Sequence, residues 1–128
     1  IHDAARPFLP GAVVDRLLAA LDGARGAIPA LPVADTLVRG DGALMPRDGL
    51  WRVQTPQAFQ FDAVVAAHRG WDAAVEATDD AQMLRAGGHD VSIVAGDERL
   101  QKLTYPEDFA RAGCQALATS IDPYWHGL

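Results

Sequence analysis

Hydrophobic residues recur at helical spacing in several stretches of the chain. The spacing predicts helices over residues 12–21 and 59–69, and a third helix that opens at Thr78-Asp79-Asp80 with Thr78 as its N-cap. A last helix is predicted from the capping box at residues 104–107 to about Leu117. Such a pattern places one apolar stripe of each helix against a common core.

Short apolar runs between these helices predict β-strands. They lie at residues 27–33 and 90–94, and residues 1–7 fit the end of another strand that runs into a loop. Pro29 and Pro32 predict that the first run forms an edge strand or leaves its sheet early. Because strands alternate with helices, we predict an α/β class with a mostly parallel sheet. The strands are few for a doubly wound domain, so we expect the later half of a larger domain whose opening βαβ unit lies outside this chain.

Residues 33–53 do not follow the alternation of strands and helices seen in the rest of the chain. Segments 36–39 and 50–53 flank a Gly40-Asp41-Gly42 turn and a short apolar piece, which favours a hairpin-like arm. An arm of this kind has to pack on something, and a second subunit is one candidate.

The amino-acid composition excludes several classes of function. The 128 residues include 11 Lys and Arg against 17 Asp and Glu, a formal charge of −6 that argues against nucleic-acid binding and a polybasic membrane anchor. No apolar run approaches the roughly 20 residues of a membrane span. Cys114 stands alone and the four histidines lack zinc-site spacing, so we expect a cytoplasmic protein and name no metal ligand.

Five polar clusters in loops or at element ends carry candidate chemistry. Arginine binds phosphate bidentately, a carboxylate beside a hydroxyl suits a polyol, and an ammonium can stabilise a transferring phosphoryl group. The candidate residues are Asp3, Arg6, Asp35, Thr36, Arg47, Thr55 and Lys102.

Each cluster also has an ordinary structural explanation. An Asp–Arg pair can hold a loop, an Asp–Thr pair can stabilise a turn, and a lone Arg is often a solvated surface charge. Thr55 before Pro56 reads as the N-cap of the helix that follows. Lys102 is the only lysine in the chain. Either this position requires a compact ammonium, or the composition favours Arg and one Lys is present by chance.

The order of the clusters is more specific than any one of them. The chain carries His-Asp-Ala-Ala-Arg-Pro, Pro-Val-Ala-Asp-Thr, Arg-Asp-Gly-Leu-Trp, Gln-Thr-Pro-Gln-Ala-Phe, Thr-Asp-Asp and Lys-Leu-Thr-Tyr-Pro-Glu-Asp in that order. Together they closely resemble the 2-C-methyl-D-erythritol 4-phosphate cytidylyltransferase family of isoprenoid biosynthesis, over roughly residues 1–113.

The resemblance implies a partial Rossmann-like nucleotidyltransferase domain with a protruding β-arm. The domain would cover residues 1–118, with the arm at about 33–53 and a tail of unknown role at 119–128. The implied reaction transfers CMP from CTP, with Mg²⁺ on its phosphates, to 2-C-methyl-D-erythritol 4-phosphate and releases pyrophosphate. The implied assembly is a homodimer in which the arm embraces the second subunit.

The resemblance also assigns roles by position. Arg47, reaching across from the partner's arm, and Lys102 would be the catalytic pair that positions the attacking phosphate. Asp3, Arg6, Asp35, Thr36 and Thr55 would line the polyol phosphate pocket.

Two alternatives to this enzyme remain open. The family's glycine-rich CTP loop is expected to precede Ile1, so we expect this chain alone to be incomplete for turnover. The alternatives are a cytidylyltransferase of the ribitol 5-phosphate type and an inactive fragment that only folds or dimerises.

Overall fold

The computed structural model describes the backbone of residues 1–120 and the side chains of residues 1–116. The elements in chain order are α1 (Gly11–Ala20), β1 (Gly26–Pro32), β2 (Leu37–Val38), β3 (Leu44–Met45), β4 (Trp51–Val53), β5 (Ala58–Phe59), α2 (Phe61–Gly70), α3 (Asp80–Ala86), β6 (Val91–Ala95), a 3₁₀ turn (Glu98–Leu100) and α4 (Pro106–Ser120). The predicted α/β class is confirmed.

The main sheet is built around β1. On one side, Gly26–Ala30 pairs in parallel with β6; on the other, β5 and β4 pair antiparallel with the first and last parts of β1. The described part of the sheet is therefore mixed, and the prediction of a mostly parallel sheet holds only for β1 and β6. The chain returns from the arm directly beside β1, and so short a return joins antiparallel neighbours.

The prediction that β1 is an edge strand is wrong, because β1 has partners on both sides. Pro29 lies where the neighbour on one side changes from β5 to β4, and its carbonyl accepts the Gln54 N–H at 2.8 Å. Proline has no N–H to return the second hydrogen bond of this pair to the Gln54 carbonyl, and the pairing of β1 with β4 ends there. Pro32 is the last residue of the strand, where a break is harmless.

The core lies between α1 and the sheet. Its buried centre comprises Val13, Leu17, Ala27 and Leu100, with partly buried Ala20, Leu21, Ala58 and Val94 packed against it. On the other side of the sheet, α3 approaches β1 closely at Gly26, where a Cβ would meet Leu84 Cδ2 at 2.8 Å and Phe59 Cδ1 at 2.9 Å. Only glycine allows that contact without displacement.

The N-cap of α3 differs from the prediction. It is Asp79, whose Oδ1 accepts the Gln82 N–H at 2.8 Å, whereas the Thr78 N–H bonds the Gln82 side chain at 2.8 Å. The N-cap is thus one residue later than predicted, and the Gln82 side chain bonds the residue before the N-cap rather than the N-cap itself, as it would in a capping box.

Two other helix starts also differ. In α4 the capping carboxylate is Asp108, whose Oδ2 accepts the Thr104 and Tyr105 N–H groups at 2.9 Å, rather than Glu107. Helix α2 begins at Phe61 because Ala58–Phe59 pairs with β1 as β5, so Thr55 is not its N-cap.

The predicted arm contains a hairpin, with shorter strands than expected. Leu37 pairs with Met45 and Val38 with Leu44, around a turn in which Gly42 has φ +85°. Trp51–Val53, predicted as the second arm strand, instead pairs with β1. The hairpin thus forms a small sheet of its own.

At both ends of the described chain the structure differs from the predicted elements. Residues 1–7 form no strand, although Ile1 and Gln57 exchange two backbone hydrogen bonds of 2.8 Å. Helix α4 continues to Ser120, two residues beyond the predicted domain end, and the rest of the predicted tail, 121–128, lies outside the described residues. None of the described helices has the length and apolarity needed to cross a bilayer.

Candidate functional site

Three segments meet just beyond the carboxyl end of β6. The loop after β6 reaches the first residues of the chain, where the Leu103 N–H donates to the Ala5 carbonyl at 2.8 Å. The turn between β4 and β5 joins them, since Thr55 Oγ1 accepts the Asp3 N–H at 3.0 Å. Ligands of open α/β sheets bind at this end of the strands.

Asp3 and Lys102 form an ion pair at the centre of this meeting point. Lys102 Nζ lies 2.9 Å from Asp3 Oδ2, and Asp3 Oδ1 accepts the Ala5 N–H at 3.0 Å. The hydrogen bond from Lys102, followed by that from Ala5, lowers the pKa of Asp3 below its ordinary value. Asp3 is therefore an ionised acceptor, and Lys102 is half exposed beside it.

Arg6 is the second cation of the site. Its guanidinium donates to the Leu100 carbonyl, which ties the first loop to the segment before Lys102. Burial lowers the pKa of Arg6 and the charge of Asp3 opposes that shift, but guanidinium stays protonated at any physiological pH. Within the described chain its Nε is buried and has no hydrogen-bond partner.

Thr55 holds the first loop rather than a helix. Besides the Asp3 N–H, its Oγ1 contacts His2 Nδ1 at 3.1 Å, and His2 Nε2 lies 2.9 Å from the Arg6 carbonyl. Thr55 therefore acts in the structure as an anchor for residues 2–6.

A cavity of about 330 Å³ opens beside Lys102. It is lined by Arg6, Arg52, Val53, Gln54, Glu98, Gln101 and Lys102. Three of these side chains are cations and one, Glu98, is an anion that pairs with Arg52 at 3.0 Å. The excess of positive charge suits a phosphate group. Two larger cavities, of about 410 and 510 Å³, contain none of the predicted site residues.

The other predicted residues lie at the base of the arm. The Arg47 guanidinium donates to the Ala34 carbonyl, and Asp35 and Thr36 are exposed beside it. None of the three lines the Lys102 cavity of the same chain. A single chain thus brings together Asp3, Arg6, Thr55 and Lys102, and it leaves Arg47, Asp35 and Thr36 apart from them.

The sequence reasoning missed two buried glutamines that flank Thr55-Pro56. Gln54 and Gln57 are 6% and 3% exposed. Gln57 Nε2 donates to Asp79 Oδ2 at 3.0 Å, so the start of α3 is fastened to the same turn. Their position in the same short motif as the candidate residue Thr55 was the available signal.

Arg52 and Glu98 were missed as well. They meet in space although 46 residues separate them. No local pattern in the sequence connects residues so far apart.

Comparison with known proteins identifies the family. The model of the IspD family, 2-C-methyl-D-erythritol 4-phosphate cytidylyltransferase, matches residues 1–117. The chain belongs to this family. The resemblance inferred from the ordered motifs is thereby confirmed.

Relatives in the IspD family are similar over most of this chain. The bifunctional enzyme IspD/IspF of Rhizorhabdus wittichii is 65% identical over 115 residues, which are 88% of this chain and 30% of that protein. The 2-C-methyl-D-erythritol 4-phosphate cytidylyltransferase of Cereibacter sphaeroides strain KD131 is 50% identical over 116 residues, 88% of this chain and 51% of that protein. The chain thus spans about a third to a half of the length of these relatives.

Solved IspD structures share the fold. The crystal structure of the cytidylyltransferase from Thermus thermophilus matches with a TM-score of 0.82 at 39% identity, over 91% of this chain and 60% of that one. The bifunctional IspDF of Campylobacter jejuni matches with a TM-score of 0.76 at 34% identity, over 86% of this chain and 29% of that one. The partial nucleotidyltransferase fold is confirmed.

Proposed function

We propose that this chain forms the polyol-phosphate side of an enzyme that transfers CMP from CTP to 2-C-methyl-D-erythritol 4-phosphate. The observation that carries the proposal is the cationic cavity in which Arg6 and Lys102 lie beside the Asp3 carboxylate, in a chain of the IspD family. The reaction belongs to isoprenoid biosynthesis.

The chemical step is an in-line displacement at phosphorus. A phosphate oxygen of the polyol phosphate attacks the α-phosphorus of CTP, a new P–O bond forms, and the bond to the β-phosphate oxygen breaks. Pyrophosphate leaves with the electron pair. The step needs positioning and charge neutralisation more than a protein nucleophile, and the cavity supplies cations and polar anchors.

Lys102 is proposed to exchange partners when substrate binds. Its half-exposed ammonium contacts Asp3 in the structure, and an exposed ion pair of this kind is weak, so a substrate phosphate can replace the carboxylate. Asp3 is then free to accept a hydroxyl of the polyol, while Lys102 and Arg6 neutralise the phosphate.

Arg47 is proposed to complete the site from a second copy of the chain. In its own chain it lies at the arm base, outside the Lys102 cavity. The arm and its return strand expose five large apolar side chains, Val38, Leu44, Leu50, Trp51 and Val53. A homodimer joined through the arm would cover them and bring Arg47, with Asp35 and Thr36 beside it, to the partner's cavity.

Mg²⁺ is proposed to enter with CTP as the counter-ion of its phosphates. In the part of the chain that the structure describes, no three His, Cys, Asp or Glu side chains gather to hold a metal ion. Mg²⁺ held chiefly by nucleotide phosphates needs no such cluster of protein ligands. A cytoplasmic location belongs to the same proposal.

The test is pyrophosphate release by a polypeptide that contains this chain and spans the length of the cytidylyltransferase relatives. We expect release with CTP and 2-C-methyl-D-erythritol 4-phosphate together and none without the polyol phosphate. Turnover with ribitol 5-phosphate alone would assign the chain to that other class of cytidylyltransferase. Absence of turnover with either substrate would contradict the enzyme proposal.

A further inference from the structure

Gln54 is fixed at both its main chain and its side chain. Its N–H donates to the Pro29 carbonyl of β1 at 2.8 Å. Its side-chain Nε2 donates to the Asp97 carbonyl at 2.9 Å, and its Oε1 accepts the Asp97 N–H at 3.0 Å. The amide thus pairs with the whole main-chain unit of one residue, as a neighbouring β-strand would.

The backbone of Gly96 packs directly against the Gln54 side-chain amide. A Cβ at residue 96 would lie 2.3 Å from Gln54 Oε1 and 3.1 Å from the Ala30 carbonyl oxygen. The Gly96 N–H also donates to the Ala30 carbonyl at 2.9 Å, so the loop cannot move away from the sheet without breaking a hydrogen bond. The contact is therefore tight and specific.

The segment from Asp97 to Lys102 is short and held at several points. Asp97 Oδ1 accepts the Arg99 N–H at 2.9 Å, and the Leu100 side chain is fully buried in the core. The Leu100 carbonyl accepts from Arg6. The segment from Asp97 to Lys102 is therefore compact, and the Gln54 amide holds its first residue.

We propose that Gln54 is a positioning residue, which holds the segment carrying Lys102 in place against the Asp3 loop. Gln54 lines the Lys102 cavity, but both ends of its amide are occupied by the Asp97 main chain, so it acts through that main chain. The next residue, Thr55, binds the Asp3 N–H at 3.0 Å, so two consecutive residues anchor the two halves of the site. The consequence for turnover rests on the proposed function.

The first test is Gln54→Leu in the intact enzyme. A misplaced catalytic group of this kind costs about tenfold to a hundredfold in rate, so we expect kcat to fall by that amount. The KM for CTP should change by less than about twofold, because uniform binding of the nucleotide is untouched. Unchanged kcat in the folded variant would overturn the proposal.

Gln60→Leu is the matched control. The Gln60 amide also bonds main-chain carbonyls, those of Leu21 at 3.2 Å and Ala24 at 3.4 Å, but it lies away from the Lys102 cavity. We expect its loss to lower thermal stability and to leave kcat unchanged below the melting temperature. An equal fall of kcat in both variants would overturn the proposal, since the loss of any amide bonded to main-chain groups would then have the same effect.

A double-mutant cycle tests whether Gln54 acts through Lys102. In a Lys102→Ala background the group to be positioned is gone, so Gln54→Leu should lower kcat by less than about twofold further. A full additional loss would show that the effect of Gln54 does not pass through Lys102, which contradicts the proposal.

A measurement without turnover separates this inference from the proposed function. Carboxyl-carbon NMR should show the pKa of Asp3 rising toward its ordinary value in Gln54→Leu and staying low in Gln60→Leu, because only the first variant loosens Lys102. Gln54→Asn, which adds no charge and keeps an amide one methylene shorter, should give a smaller rise and serves if the Leu variant does not fold. An unchanged pKa of Asp3 in the folded Gln54 variant would overturn the inference even where the enzyme is active.

Discussion

Lys102 and Asp3 form an ion pair that would order the proposed site before its substrate arrives. The side chains are 51% and 31% exposed, so their 2.9 Å contact adds little to stability. We propose that it holds the ammonium at the cavity mouth, where a substrate phosphate can take the place of the carboxylate.

Replacement of Lys102 by alanine should therefore affect turnover much more than folding. We expect kcat to fall by about 100- to 1,000-fold, the usual loss when one transition-state contact is removed. The free energy of unfolding should change by less than about 1 kcal/mol. Steady-state kinetics and urea unfolding of the same preparation measure both, and near-normal kcat would refute the assigned role.

The titration of Asp3 reports the same ion pair. Because Lys102 lowers the pKa of Asp3 below its ordinary 3.8, the carboxylate stabilises the fold above the pH at which unfolded Asp titrates. That contribution is lost as the pH falls through the folded pKa. We expect carboxyl-carbon NMR to give a midpoint below 3.8 in the wild type and a higher one in Lys102→Gln. Identical midpoints would show that the pair does not form.

At the scale of single residues, the sequence predicted part of the candidate site. The motifs selected Asp3, Arg6, Thr55 and Lys102, which the structure brings together, although their roles stay predictions. Gln54 was missed because its partner is the main chain of Asp97, and a main-chain contact leaves no residue-type signature in a single sequence.

At the scale of elements, α1 and β1 form the packed unit on which the site rests. Leu17 of α1 is 2% exposed and shares a core with Leu100, the residue whose carbonyl binds Arg6. Packing in the core and geometry in the site are therefore connected through one residue.

Leu17→Ala should lower the free energy of unfolding by about 2–5 kcal/mol, the range for cavities left by buried leucines. Leu18→Ala is the control on the same helix, because Leu18 is 58% exposed, and it should cost less than about 1 kcal/mol. Chemical denaturation of the intact protein measures both. Equal losses would contradict the placement of the core.

The boundaries of elements were harder to predict than their presence. Periodicity located the helices, but the caps of α3 and α4 fell on Asp79 and Asp108 rather than on the expected residues. Each helix start has two adjacent polar residues that could serve as the cap, and tertiary contacts select one of them. For α3, the selected Asp79 also accepts a hydrogen bond from Gln57. The central position of β1 in the sheet follows from the order of the strands, and the local sequence pattern carries no information on strand order.

At the scale of the whole molecule, the arm is the feature that a single chain leaves unexplained. Its two short strands pair with each other in a separate sheet, and Val38 and Leu44 are 59% and 73% exposed. Apolar exposure of this kind on a protruding hairpin is typical of an interface.

Charged residues on the arm should weaken the proposed dimer. We expect Val38→Glu combined with Leu44→Glu to shift sedimentation equilibrium of the intact enzyme from dimer toward monomer and to reduce activity with it. Val75→Glu is the control, since Val75 is 50% exposed outside the arm and should leave the dimer intact. A monomeric wild type would contradict the proposed assembly.

Subunit complementation tests the shared site most directly. Arg47→Ala and Lys102→Ala enzymes should each be nearly inactive, and after they are mixed and allowed to exchange subunits, half of the dimers carry one site with both cations intact. Activity should then recover to about a quarter of the wild-type value, because only one site in four is complete in a two-fold assembly with random exchange. If both cations act within one chain, every hybrid site lacks one of them. A mixture that exchanges subunits and stays inactive would therefore contradict the account.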